Sequence, residues 1–122
     1  MFTLTTALVI RVHDEVLNPD ELPGLARDKS LEGALARVDN RLVYGMIHDI
    51  YDLAAAYAVA IAQGHCFDDG NKRTAFRSMM AVLEGNGIDT DLSAETIGPV
   101  IIRAAQGLMD EAELGLWLRQ RL

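Results

Sequence analysis

The sequence predicts an all-α protein, one compact domain of about six helices spanning residues 1–122. Three observations carry this reading. Apolar residues recur at three- and four-residue spacing along most of the chain, and no stretch sustains the alternation of a half-buried strand. Half of the residues are hydrophobic but only 6% are aromatic, so the core has to be aliphatic and alanine-rich, a composition that suits closely packed helices. Capping residues and Gly or Pro stops bracket the periodic stretches.

The first helix is expected over residues 5–17, with Thr5 or Thr6 as cap and Leu8, Val9, Val12 and Val16 at helical spacing. Asn18-Pro19-Asp20 stops it. Residues 18–29 (NPDELPGLARDK) hold two prolines, a glycine and no periodicity, which predicts an exposed loop suited to substrate or partner contact. Ser30 can cap a second helix over about 31–42, with Leu31, Leu35, Val38 and Leu42 on one face.

Gly45 either breaks or dents the path into a third helix, roughly 46–63. That helix is the most buried candidate, since residues 53–62 (LAAAYAVAIA) are apolar on all sides, and Gly64 is its expected terminator. A fourth helix is predicted over 71–84, closed by Gly85-Asn86-Gly87. Ser93 can cap a fifth, to about Gln106, which Pro99 should kink or delay. Asp110 and Glu113 form a capping-box pattern for a last helix carrying Leu114, Trp117 and Leu118.

Charge and cysteine usage narrow the function classes. A formal net charge of −7 and a pI near 4.8 argue against wrapping nucleic acid, which needs a basic footprint. Lys72, Arg73 and Arg77 are nevertheless expected to form a local basic pocket. One cysteine, Cys66, allows no internal disulfide and fits a reducing cytoplasm. No basic region precedes the short apolar run at the N-terminus, so it does not read as a signal peptide, and residues 53–62 are too few to span a bilayer.

Chemistry is concentrated in HCFDDGNKRTA, residues 65–75. A polar loop that feeds a helix start is a natural anion site, because first-turn N–H groups are unpaired and the helix dipole is positive there. Lys72 and Arg73 stand at the end of the helix that ordinarily disfavours cations, which suggests that an anion is expected. His65 offers an imidazole that can accept a proton from a Ser, Thr or Tyr hydroxyl. Asp69 can hold a cation or cap the following helix. Gly70 permits close backbone approach, and Asn71 can orient the loop, bond a phosphate oxygen or serve as a turn residue. Phe67 reads as an apolar anchor under the loop. Asp68 reads as solvated, and Cys66 as structural rather than catalytic. His13 and His48, each followed by Asp, could join His65 and Asp69 in a metal site, although no metal-ligand spacing supports one. Arg37 and Arg41, one turn apart, either reach an acidic group or form a solvated face.

These residues resemble the motif H-x-F-x-[DE]-[GA]-N-[KG]-R of the Fic/Doc family, matching all seven fixed positions over nine residues. The N-K-R-T-A ending is similar to the Doc (death on curing) toxin branch. So, more loosely, is the layout, with Leu22-Pro23-Gly24 after the first helix and the motif just past the middle. The resemblance implies a Fic/Doc-like helical domain, with residues 18–29 as a short flap that docks the target. It implies His65 as the base activating a target hydroxyl, Asp69 as ligand to a divalent cation, Mg²⁺, and Gly70, Asn71, Lys72 and Arg73 as the clamp on the phosphates of ATP. Fic adenylyltransferases carry G-N-G-R-x-x-R; here Lys72 and Phe76 replace the second glycine and the final arginine, and Arg77 comes one residue late. Gly70 is the Fic-like feature, where Doc proper has alanine. No [ST]-x-x-x-E-[GN] self-inhibitory pattern is present.

The resemblance therefore implies a toxin that transfers the γ-phosphate of ATP to a Ser or Thr hydroxyl of elongation factor Tu and halts translation. A Phd-type antitoxin, whose disordered tail folds into a groove on the toxin, would restrain it. Two alternatives stand beside it: a Fic-type adenylyltransferase using the same base on the α-phosphate, and a non-catalytic module that binds nucleotide and holds a partner.

Overall fold

The computed structural model describes residues Met1–Leu122. Six helices follow one another: α1 (Thr6–Val16), α2 (Leu31–Val43), α3 (Ile50–Gly64), α4 (Asn71–Gly85), α5 (Ala94–Ala105) and α6 (Glu111–Arg121). There are no strands, so the all-α reading holds. None of the helices is long and apolar enough to cross a membrane.

The alanine-rich third helix is the axis of the molecule. It packs against α2, α4, α5 and α6, while α1 lies on α4 and α2. Burial of Leu53, Ala54, Ala55, Ala56, Tyr57, Ala58, Ile61 and Ala62 puts nearly its whole circumference inside a core cluster of 26 residues. Fully burying a Leu, Ile or Met side chain contributes roughly 1.5–3 kcal/mol, and Leu53, Ile61, Met79, Leu83, Ile97, Leu114 and Leu118 all qualify. Tyr57 is the polar exception: its hydroxyl donates to Asp39 of α2, and burial followed by that carboxylate raises its pKa.

Two boundaries and the effect of one proline depart from expectation, each for a local reason. The third helix starts at Ile50 rather than near 46, because Gly45 turns the chain with φ of 72° and Asp49 then accepts the N–H of Asp52 as a true cap. Its end is not made by Gly64, the last helical residue. His65 itself takes the left-handed C-cap conformation, φ 48° and ψ 41°. The fifth helix is not delayed by Pro99. Ser93 caps it at the Thr96 N–H, and the carbonyl that Pro99 leaves without its usual donor belongs to exposed Glu95.

Residues 18–29 contain one element of sheet pairing: an isolated antiparallel bridge joins Leu25 to Phe67, and the Ala26 N–H donates to the Cys66 carbonyl at 2.7 Å. The flap is thus tied directly to the motif loop. At the far end, the expected capping box of Asp110 and Glu113 is complete, and Arg119 forks onto Asp49 and Asp52 to lock α6 across the start of α3.

Candidate active site

Five of the six helices have a side-chain cap, from Thr5, Ser30, Asp49, Ser93 and Asp110; α4 has none. Its N-cap is Gly70, held at φ 80°, which carries no side chain to reach the first-turn N–H groups. Asp69, which could have capped the helix, turns instead toward the flap and accepts the Leu22 N–H on Oδ2 at 2.8 Å. The Thr74 hydroxyl donates back to the Gly70 carbonyl at 2.8 Å and steadies the turn from below. An open, positively polarised helix end therefore faces a cleft of about 420 Å³.

Asp69, Gly70, Asn71, Lys72 and Arg73 all border this cleft. Their side chains do different things. Asn71 accepts the Phe67 N–H at 3.1 Å and donates to the Phe67 carbonyl at 2.9 Å, so both ends of its amide are used in closing the loop. Arg73 is paired with Glu21 of the flap and also donates Nε–H to the Val16 carbonyl at 3.2 Å. The hydrogen bond from Arg73, then that from the Asn18 N–H, hold the Glu21 carboxyl below its usual range, and Glu21 in turn raises the Arg73 guanidinium. Lys72 is exposed and makes no ion pair within the chain.

Phe67 is buried beneath the loop, stacked on the ring of His13 with centroids 3.9 Å apart and planes 9° from parallel. His13 donates from Nε2 to the Asp69 carbonyl at 2.7 Å, which fixes its tautomer, since a carbonyl can only accept. Cys66 is buried, and that burial pushes its thiol pKa up, consistent with a packing role.

His65 stands apart. It is exposed at the end of α3, does not border the cleft, and makes no side-chain hydrogen bond with Asp69. Left-handed backbone is uncommon for a residue with a Cβ, although His is among the types that tolerate it, and such conformations cluster at functional sites.

The expected basic pocket is narrower than its three residues suggested: Arg77 lies in a separate groove between α1 and α4, with Glu15 and Glu84. Nor do the histidines converge. His48 precedes the N-cap of α3 while His65 ends it, roughly 22 Å away at 1.5 Å per residue, and no group of three His, Cys, Asp or Glu residues is placed to hold a metal. A magnesium ion needs less, one or two carboxylates with water and phosphate completing its shell. Asp69 fits that requirement: it is half-buried at the cleft, with Oδ1 taking no hydrogen bond. Arg41, half-exposed, reaches an acidic group: it pairs with Glu111 and ties α2 to α6.

Sequence reasoning missed His13 as the support of the loop and Glu21 as the partner of Arg73. Each lies more than 50 residues from its partner, and no spacing rule connects them.

A helical domain with an uncapped, cation-flanked helix start behind an exposed histidine is the arrangement of a family of group-transfer proteins. A model of the Fic/DOC family matches residues 3–83, and the chain belongs to that family. It is similar to a characterised relative, the "Protein kinase doc" of Escherichia phage P1, with 34% identity over 113 residues that cover 92% of this chain and 89% of that protein.

Proposed function

We propose that this protein is a Doc-like toxin kinase that moves the γ-phosphate of Mg-ATP onto a Ser or Thr hydroxyl of a translation factor, elongation factor Tu, in the cytoplasm. The observation that carries the reading is the α4 start: no side-chain cap, first-turn N–H groups open to a cleft, and Lys72 unpaired beside them. Phosphoryl transfer needs positioning and neutralisation of charge on the transferring group more than covalent chemistry from the protein, and this end of α4 supplies both. His65 accepts the proton of the target hydroxyl as its oxygen bonds to the γ-phosphorus, and the bond to the β-phosphate oxygen breaks to release ADP. Asp69 would hold the magnesium, which when bound screens charge between phosphate oxygens.

The flap bridge between Leu25 and Phe67 supports a target segment laid beside the motif loop, within reach of exposed His65. A Phd-like antitoxin is the natural restraint, since the sequence has no self-inhibitory pattern. The relative's name, a protein kinase, favours γ-transfer over the adenylyltransferase alternative, as does Lys72 at the second glycine position of the Fic pattern.

The test is a paired labelling experiment. Purified protein, Mg²⁺ and bacterial lysate are incubated with ATP labelled at the γ- or, separately, the α-phosphate. Label from the γ position alone, on a band the size of elongation factor Tu and absent with His65→Ala, is expected. Label from the α position would make the protein an adenylyltransferase, and no transfer of either label would leave the non-catalytic binding module.

A further inference from the structure

A second groove lies outside the phosphate site, between α2 and α3. It is bordered by Arg37, Asn40 and Arg41 of α2 and by Ala56, Ala60 and Gly64 of α3, small residues a turn apart that leave it open. It shares no residue with the cleft at the α4 start. Gly64 is the neighbour of His65, so this groove ends at the candidate base, which the phosphate cleft does not reach.

Its two arginines differ. Arg41 is paired with Glu111, whereas Arg37 is exposed and has no acidic partner in the chain. The Arg37 guanidinium folds back toward the cap of α2: a Cβ built on Gly33 would stand 3.6 Å from its Nη1 and 3.1 Å from Ser30 Oγ. The helix dipole disfavours a cation at that end. Lys29, also without an ion pair, stands with Arg37 close enough to Cys66 for both to oppose the effect of burial on its thiol. In a chain of net charge −7, two cations without acidic partners thus flank the residues on either side of His65.

Resting on the kinase reading above, we propose that the α2–α3 groove docks the acceptor protein through a short extended segment bearing an Asp or Glu, whose carboxylate pairs with Arg37 and sets the Ser or Thr hydroxyl at His65. Charge complementarity selects the acid, since Arg37 is the cation of this groove that the chain itself leaves unpaired. Length sets the spacing. From Ala56 to Gly64 the helix rises roughly 12 Å at about 1.5 Å per residue, room for about four residues of extended chain. The acid therefore lies within about four residues of the hydroxyl. Acceptor and phosphate donor approach through separate openings and do not compete for one cleft.

Arg37 is exposed and unpaired, so replacing it leaves the fold intact. Initial rates of label transfer from γ- or α-labelled ATP to purified elongation factor Tu would be measured against acceptor concentration for the wild type, Arg37→Ala, Arg37→Glu and Arg37→Lys. Calorimetry would follow the Mg-ATP affinity of each. The acceptor KM should rise about fivefold in Arg37→Ala and about tenfold or more in Arg37→Glu, with kcat and Mg-ATP affinity within about twofold of the wild type. Arg37→Lys should recover part of the loss. Mass-spectrometric mapping should place an acid within about four residues of the modified hydroxyl, and exchanging that acid for Lys should rescue Arg37→Glu.

An acceptor KM unchanged in both Arg37→Ala and Arg37→Glu, or a modified hydroxyl with no acid in that span, overturns the docking groove while leaving the phosphate clamp standing. A fall in kcat or in Mg-ATP affinity at constant acceptor KM overturns it as well, by moving Arg37 to the donor side. Label from the α-phosphate with the same changes in acceptor KM would overturn the kinase reading and keep the docking groove. No transfer of either label overturns both.

Discussion

The Nε2–H of His13 donates to the backbone carbonyl of Asp69 across 2.7 Å, and the same ring carries Phe67 on its face. One buried side chain on α1 thus supports both ends of the turn that precedes α4. Replacing it with leucine keeps a comparable apolar body but strands the Asp69 carbonyl. Loss of a partner for a buried polar group costs roughly 1–3 kcal/mol. We expect His13→Leu to lower the urea midpoint accordingly and to weaken magnesium-dependent transfer more than the stability loss explains. His13→Gln, which can still donate, should recover part of the transfer. Equal transfer by both variants would show that the bond does not position Asp69.

His65 combines a proposed chemical role with left-handed backbone at φ 48°. Asparagine tolerates that conformation well and cannot act as a base at neutral pH. His65→Asn is therefore expected to melt within a few degrees of the wild type while losing about 10²-fold or more in transfer rate. Substantial residual transfer would remove His65 from the mechanism.

Glu21 competes with any bound phosphate for Arg73. Glu21→Gln should strengthen tripolyphosphate binding and, by loosening the flap, speed proteolytic cleavage within residues 18–29. A slower cleavage rate, or weaker anion binding, would contradict the competition.

Acid acts on the same pair with a definite sign. The folded-state pKa of Glu21 lies below its ordinary 4.5 because Arg73 and the Asn18 N–H favour the carboxylate. Its contribution is therefore complete above the ordinary value and is lost as pH falls through the depressed folded value. Flap protection against hydrogen exchange should hold at pH 6 and decline below about pH 4, and the decline should vanish in Glu21→Gln.

The N-terminus depends on a close approach at the end of α4. Phe2 donates its N–H to the Asn86 side chain and accepts from it, each at 2.9 Å, and its ring lies over Gly85, where an added Cβ would meet Phe2 Cγ at 2.6 Å. Alanine gains up to about 1 kcal/mol in helix propensity, but overpacking costs roughly 1–3 kcal/mol, so the clash should win. Gly85→Ala is expected to destabilise by about 1 kcal/mol in denaturant unfolding. A rise in stability would mean that Phe2 moves aside without loss.

Much of this protein was determined by short-range information in its sequence. Periodicity located the helices because each buries one face, or in α3 nearly all faces, and that demand recurs every turn. Thr5, Ser30, Ser93 and the Asp110–Glu113 box marked the helix starts because a cap bonds an N–H only two or three residues on. The residues from His65 to Arg73 were legible as a group because they are contiguous.

What each of them does was decided by tertiary structure. Asp69 could have capped α4, and turns away because the flap presents the Leu22 N–H. Arg73 read as a free cation until the fold brought Glu21 beside it, and Arg77 joined another groove because helical rotation carries it round to the α1 side. His13 read as a faint metal ligand and is the loop's support. The apolar half of the cleft exists only because α5 lies opposite the start of α4. Local rules reach about one helical turn, and these contacts join residues tens of positions apart, where only the packing of whole helices brings the groups together.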